Sequence, residues 1–330
     1  MKKLYVFLFV LALFSACEDP NDKAVAEQYL PLSAGRVNMV AVIMDSDQWK
    51  GKVGDSIRSI YGAPTDGLPM EEPLFSLKQI NPELFQGPIK HYRSVLMINS
   101  SEEKKYKVGK NLYAKPQKII YVSGTDDEIV EQLSANANAS IKTFKDNELV
   151  SKQRFINNAL SDDKTLEETF GISMNIPSVY KMVKKEDNFV WYERKVKNGT
   201  MNIIAYAMPY GSIPKNDTTV DAIIKMRDSI GEAYVPGHDP ETMYMITEKA
   251  YAPYLYYAKV DNKFAFETKG MWEIFGYQMA GPFINYAVED EANNRLMVVE
   301  GFTFAPSEDK RDFMFEIEAI LKSLKIQNPK

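Results

Sequence analysis

The sequence predicts an α+β fold in two related domains, each an antiparallel sheet with helices packed on one face. Three observations carry this expectation. Turn signals at Asn198-Gly199, Asp261-Asn262 and Asn293-Asn294 join short apolar runs into hairpins. Apolar residues at helical spacing fill other stretches. The order of strand, helix, paired strands and helix then occurs in each half of the chain. The chain is 45% hydrophobic and 26% charged, with one Cys in 330 residues. That composition excludes a disordered polymer and a disulfide scaffold.

Lys2 and Lys3 precede an uncharged run from Leu4 to Phe14. The run is short of the roughly 20 residues that cross a bilayer, and it has the form of a signal-peptide apolar region. Leu13-Phe14-Ser15-Ala16-Cys17 follows and resembles the lipobox of bacterial lipoproteins, with Phe14 where Leu is commoner. The resemblance implies a diacylglycerol thioether on Cys17, cleavage before it, and an acyl chain such as palmitate on the new amine. Residues 1–16 are then the signal peptide and 17–32 a flexible tether. Loss of Lys2 and Lys3 moves the formal charge from −5 to −7. An acidic body suits neither nucleic acid nor anionic head groups, so the lipid supplies the membrane attachment. Glu18, Asp19 and Asp22 read equally as a solvated tether or as a surface-export signal.

The N-terminal domain is expected over 33–160. RVNMVAVIM at 36–44 is a strand, and Asp45-Ser46-Asp47 caps a helix over 48–61 that Pro64 ends. Five prolines between 63 and 91 mark a long irregular connection. Strands are expected at 92–98 and 118–122. Thr125 and Glu128 form a capping box for a helix through 145, and a second helix covers 147–160.

Ser161 to Lys164 is the expected domain boundary, and the C-terminal domain covers 165–326. A short helix at 165–170 stops at Gly171. Strands follow at 179–183, 189–196 and 201–208. Thr218 or Thr219 caps a helix to Tyr234, and four more strands lie at 254–259, 263–268, 283–288 and 295–304. Ser307 caps a last helix with a stripe of Phe313, Ile317, Ile320, Leu321 and Leu324. Asn38-Met39-Val40-Ala41 compares with Asn202-Ile203-Ile204-Ala205, and Asp55-Ser56-Ile57 before Tyr61 compares with Asp228-Ser229-Ile230 before Tyr234. An ancient duplication accounts for both matches if one half carries an insertion.

Gly270-Met271-Trp272-Glu273, Gly281-Pro282-Phe283, Val299-Glu300-Gly301-Phe302, Ala305-Pro306, Asp309-Lys310-Arg311 and Glu318-Ala319-Ile320-Leu321 resemble motifs of an uncharacterised family of bacterial lipoproteins, the domain-of-unknown-function family 4837. Ile176-Pro177 and Phe189-Val190-Trp191 belong to the same pattern. The resemblance implies an envelope lipoprotein and no particular activity.

Residues able to do chemistry are few. His91 and His238 have no His or Cys neighbours, so no metal is expected. Phosphate-binding glycine motifs and the G-x-S-x-G elbow are absent, so no cofactor is expected. Glu300 is the most informative carboxylate. Alternation over 295–304 puts it on one face with Leu296, Val298, Phe302 and Phe304, where a charge is costly unless paired. It reads either as a general acid or as a structural group, with Arg194 a possible partner. Trp191, Trp272, Tyr254 and Tyr256 form a candidate aromatic binding surface, with core packing as the other reading.

Two functions fit. The first is a lipid-anchored, non-catalytic binding or assembly module on the outer membrane, facing periplasm or cell surface, with an envelope protein or glycan as partner. The alternative is an envelope hydrolase using Glu300 or a lone His.

Overall fold

The computed structural model describes residues 29–328. The expected signal peptide, Cys17 and the expected tether up to residue 28 lie outside the described residues. Pro31, within the stretch expected to be a flexible tether, is held by the body: the Lys115 amide donates to its carbonyl at 2.9 Å.

The N-terminal half contains strands β1 (Met39–Ile43), β2 (Ser76–Ile80), β3 (Ser94–Ser100), β4 (Lys105–Lys110) and β5 (Lys118–Gly124), in the spatial order β2-β1-β3-β5-β4. Its helices are α1 (Ser46–Lys50), α2 (Lys52–Tyr61), α3 (Asp126–Ala135) and α4 (Ala137–Ile156). One face of the sheet, with Val40, Val42, Leu96, Ile98, Ile120 and Val122, packs on Val53, Ile57 and Tyr61 of α2, Ile129 and Leu133 of α3, and Phe144 of α4. The other face is covered by Phe85, Ile89 and Tyr92 from the connection between β2 and β3.

The α+β class holds, and helices do lie on one face here, but strand direction in this half differs from the expectation. β1 runs parallel to both β2 and β3, and β3 runs parallel to β5; among these pairings β4 alone is antiparallel. Parallel neighbours need crossovers of a dozen or more residues. The α1–α2 segment and the proline-rich connection carry the chain between β1, β2 and β3, and the stretch containing β4 carries it from β3 to β5. β2 is a strand inside that connection, concealed by its prolines and by its polar sequence SLKQI. The single helix expected over 48–61 is broken at Gly51, whose extended backbone separates α1 from α2. The break expected near 146 falls at Asn136 instead. The Thr125–Glu128 capping box is present with both reciprocal bonds.

The C-terminal half contains α5 (Thr165–Phe170), β6 (Ile172–Ser173), β7 (Lys181–Glu186), β8 (Phe189–Val196), β9 (Gly199–Pro209), α6 (Thr219–Tyr234), β10 (Met245–Thr247), β11 (Tyr254–Val260), β12 (Lys263–Ile274), β13 (Tyr277–Asp290), β14 (Arg295–Phe304), α7 (Arg311–Leu321) and β15 (Lys325–Ile326). Apart from the small β6–β15 pair, these strands form an eight-stranded antiparallel sheet in the order β10-β12-β13-β14-β9-β8-β7, with β11 beside β12. Asn198, Asp261, Asn262 and Asn294 take positive φ at its turns, as tight hairpins require.

Helices cover both faces of this sheet rather than one. α6 packs Ile223, Met226 and Ile230 on one face, and α7 packs Ile317, Ile320 and Leu321 on the other. A sheet this wide, apolar on both sides, has no face to leave in water. α7 approaches β14 so closely that a Cβ on Gly301 would lie 2.0 Å from Ile317 Cγ2. Ile156 at the end of α4 joins the α7-side core, so the two halves share buried apolar surface.

The expected kinship of the halves does not extend to their strand orders. β1 lies between parallel neighbours and β9 between antiparallel ones. Asn38 precedes its strand in a left-handed conformation, whereas Asn202 lies within β9.

Candidate ligand site between the halves

α7 lies between the two halves. Its N-terminus is not capped by Ser307, as its sequence suggests; Lys310 occupies the cap position and makes no side-chain cap bond. The cap comes from the other half. Glu72, in the proline-rich connection, accepts from the amides of Lys310 at 2.7 Å and Arg311 at 3.0 Å. Negative charge there satisfies orphan N–H groups and complements the helix dipole. Asn38 Nδ2 donates to Asp312 at 3.0 Å, and Gln153 Nε2 of α4 donates to the Ala319 carbonyl at 3.1 Å.

Beneath α7 lies a row of half-buried charges. Alternation along β12 puts Glu267 and Lys269 on the face that α7 covers. Lys269 Nζ is 3.0 Å from Glu267 and 3.8 Å from Glu318 of α7. Lys322 is 2.6 Å from Glu318 and 3.9 Å from Glu267. Burial alone pushes the Glu318 carboxyl up, but Lys269 and Lys322 outweigh it and hold the group well below the usual carboxylate range. Burial also opposes the charge on Lys269, yet Glu318 and Glu267 keep it above the ordinary lysine value. Burial and these two carboxylates push the Tyr286 hydroxyl far up.

One end of this row opens into a cavity of about 50 Å³ between the halves. Asn38, Thr65, Asp66 and Lys145 line it from the N-terminal half; Lys269, Phe283, Met314, Phe315 and Glu318 line it from the other. Asp66 accepts the Tyr256 hydroxyl at 2.5 Å. Burial, then the charge of Lys269, lowers the pKa of Lys145.

The residues singled out from the sequence lie elsewhere. Glu300 does share its face with Val298 and Phe302, but it is 1% exposed and fully engaged. Its two oxygens accept from Arg227 of α6 at 2.7 and 2.8 Å, and Asn285 Nδ2 donates at 2.7 Å. Another Arg227 donor reaches Thr247, and the guanidinium lies 3.3 Å from the Phe283 ring centroid. Arg194 is not its partner. Arg194 pairs with Glu316, which also meets Lys152 of α4 at 3.2 Å and Tyr180 at 3.3 Å. A second buried cation–carboxylate pair, Arg93 and Glu148 at 2.9 Å, ties the residue before β3 to α4.

Trp191 and Trp272 do not form a surface with the tyrosines. They flank Phe302, at ring-centroid distances of 6.1 and 5.6 Å, and Trp191 donates to Asn202 at 2.9 Å. Tyr254 is exposed, and Tyr256 is exposed on one side with its hydroxyl held by Asp66.

Arg227 escaped the sequence reading although a signal was present. It falls four residues after Ile223 and three before Ile230, so a lone cation sits on the apolar stripe of α6. A lone buried cation and a lone buried carboxylate are natural partners. The Glu318–Lys322 pair is likewise visible as an i,i+4 spacing. No spacing points to Lys145 or Thr65, which meet the other half only in three dimensions.

Residues 159–323 match the family described as "Domain of unknown function (DUF4837)", which spans half of the chain. The chain belongs to this family. Its N-terminal residues 33–157 match a second family, "Domain of unknown function (DUF8532)". The DUF4837 region thus contains both Glu300 and the α7 side of the cavity, while the DUF8532 region contains Thr65, Glu72 and Lys145. No curated protein matches the chain. Among solved structures, it is similar to LpqN, described as involved in cell envelope biogenesis of Mycobacterium tuberculosis, at 12% identity and a TM-score of 0.30 over 48% of this chain and 83% of that one. Among the described residues, no helix is long and apolar enough to cross a membrane, and no cluster of three or more His, Cys, Asp and Glu is arranged to hold a metal.

Proposed function

We propose that the protein is a lipid-anchored envelope lipoprotein of the outer membrane that binds a partner polypeptide at the edge of its larger sheet. The observation that carries this reading is strand β11. Among the described strands it pairs with β12 alone, so its outer edge presents unpaired backbone groups. Tyr254 and Tyr257 on it are 50% and 65% exposed, and Tyr251 just before it is 75% exposed. A free edge with amphipathic rings suits strand addition, in which main-chain bonds supply affinity and side chains supply specificity. The lipobox at Cys17 supports the membrane half of the reading.

Photo-crosslinking in intact cells tests the binding edge. A benzoylphenylalanine at Tyr254 or Tyr257 is expected to trap a discrete protein adduct that is absent when the probe replaces Lys181, on the opposite edge strand β7. Equal adducts from both edges, or a glycan adduct alone, would overturn the polypeptide reading. Cys17→Ala is expected to lose acyl labelling and to move the protein into the soluble fraction; membrane retention without label would overturn the anchor.

A further inference from the structure

Residues 105 to 118 hold five lysines and no Asp or Glu, in a chain with 45 acidic and 40 basic side chains. They form β4 and its connection to β5, and that connection bears two exposed apolar side chains, Leu112 and Tyr113. Leu112 folds back over β4, since a Cβ on Gly109 would lie 3.0 Å from its Cδ1. Alternation puts Lys107 on the same face of the strand as Gly109. Tyr113 packs edge-on against Phe85 at 6.0 Å between centroids, and Lys90 Nζ lies 5.1 Å from the Tyr113 centroid. Lys105, at the far end of β4, is answered by Glu103 at 3.3 Å. Lys90, Lys107 and Lys110 make no ion pair with the described residues.

The chain enters the body beside this connection. Leu32, 62% exposed, bridges to Lys115, and the Ser33 amide donates to the Lys115 carbonyl at 3.3 Å. Arg154, near the end of α4, donates to the same carbonyl at 3.4 Å and adds a cation to the rim. Against these cations stands Glu83, the one acid between residues 78 and 101. Cys17 lies 14 residues before Pro31, a reach of no more than about 50 Å in any conformation. A lipid on Cys17 therefore keeps this face near the bilayer, at high effective concentration.

We propose that this face rests on the bilayer that holds the anchor, with Leu32, Leu112 and Tyr113 at head-group depth and Lys90, Lys107 and Lys110 on anionic lipid phosphates. The proposal rests on the lipid-anchor reading of Cys17 and does not depend on the tyrosine edge at β11. Exposed apolar side chains and an amphipathic ring beside unanswered lysines match what a membrane interface takes. The ring sits at head-group level, and each lysine stem lies along apolar surface while its ammonium reaches the phosphates. The negative formal charge of the whole chain averages over this face. Charges act on a membrane surface only within about a Debye length, roughly 8–10 Å, so the lysines nearest the lipid decide the attraction.

The acylated full chain is reconstituted in phosphatidylcholine vesicles with or without phosphatidylglycerol. An environment-sensitive maleimide dye is placed on Leu112→Cys or on Glu102→Cys, the latter in the exposed turn at the other end of β4. Acylation of Cys17 leaves the introduced thiol as the reactive one. Brominated lipid is expected to quench the Leu112 dye at least about twofold more than the Glu102 dye, and the excess is expected to shrink without phosphatidylglycerol. Lys90→Gln, Lys107→Gln and Lys110→Gln are each expected to lower the ratio of docked to undocked protein by up to about fivefold, and added salt to lower it further. Vesicle-held protein whose two dyes are quenched alike, or quenching that ignores both phosphatidylglycerol and the lysines, would overturn the docking face alone. A Leu112 dye that is blue-shifted in detergent yet untouched by brominated lipid would mean that a second copy of the chain covers the face, and would overturn it too. A wild-type chain whose Cys17 takes the dye and which does not float with the vesicles would overturn the anchor reading, and this proposal with it.

Discussion

The carboxylate of Glu72 accepts the amide of Arg311 at 3.0 Å, so a residue of one half caps the helix that closes the core of the other. The relationship makes α7 a shared element. Its buried face belongs to the β14 side of the large sheet, and its first turn is completed by the proline-rich connection of the small one. Removing the cap therefore affects stability and inter-half contact together. Glu72→Ala is expected to cost about 1 kcal/mol, within the 0.5–2 kcal/mol range of helix caps. Denaturant unfolding measures the cost. Hydrogen exchange at the Arg311 and Met314 amides is expected to quicken; unchanged exchange there would mean that water replaces Glu72 without loss.

Gly301 is present because α7 rests on it. A Cβ at this position meets Ile317 Cγ2 at 2.0 Å, so the helix must move or the side chain must leave its rotamer. Gly301→Ala is expected to destabilise the fold by about 1–3 kcal/mol, the usual cost of overpacking. Pairing it with Ile317→Ala is expected to recover part of that loss in a thermal melt. Additive losses would show that the two do not contact each other.

Arg227 and Glu300 are each 1% exposed in their side chains, so neither tolerates loss of the other. Arg227→Met is expected to cost about 3–5 kcal/mol, because it strands a carboxylate in the core. The double variant Arg227→Met, Glu300→Gln is expected to be more stable than Arg227→Met, since the amide oxygen still accepts from Asn285. A double variant no better than the single one would place the cost in lost packing over Phe283.

The charged row under α7 predicts the pH profile. The Glu318 pKa is lowered in the fold, so its stabilising contribution is complete above its ordinary value of 4.5 and drains as pH falls through its lower folded value. The gap in Tm between wild type and Glu318→Gln is thus expected to narrow steadily on acidification below 4.5. Lys269 and Lys322 are raised, so their contribution is present below 10.5 and is lost as pH climbs through their higher folded values. A gap constant from neutral to strongly acid pH would mean that Glu318 titrates as it does in the unfolded chain.

The legible parts of the fold share one property: their signals are local. The strand at 295–304 matches β14 end to end, because an apolar run between a turn and a proline has one local solution. The Thr125–Glu128 box and the Gly171 stop likewise need only their neighbours. The same locality put Glu300 on the correct face of its strand. β2 and β4 were not legible, since SLKQI and KYKVGK are edge strands whose polar residues look like connection. Nor was the parallel pairing of β1. MVAVI, buried on both faces, is compatible with either direction until the crossover path is known.

The sequence by itself determined the α+β class, most strands and helices, and the apolar setting of Glu300. Periodicity and turn chemistry act over a few residues, so a one-dimensional reading recovers them. Tertiary structure alone decided that Arg227 rather than Arg194 answers Glu300, that Glu72 caps α7, and that Thr65 and Lys145 share one void. Those relationships join residues far apart in the chain, and they exist only once packing brings the two halves together.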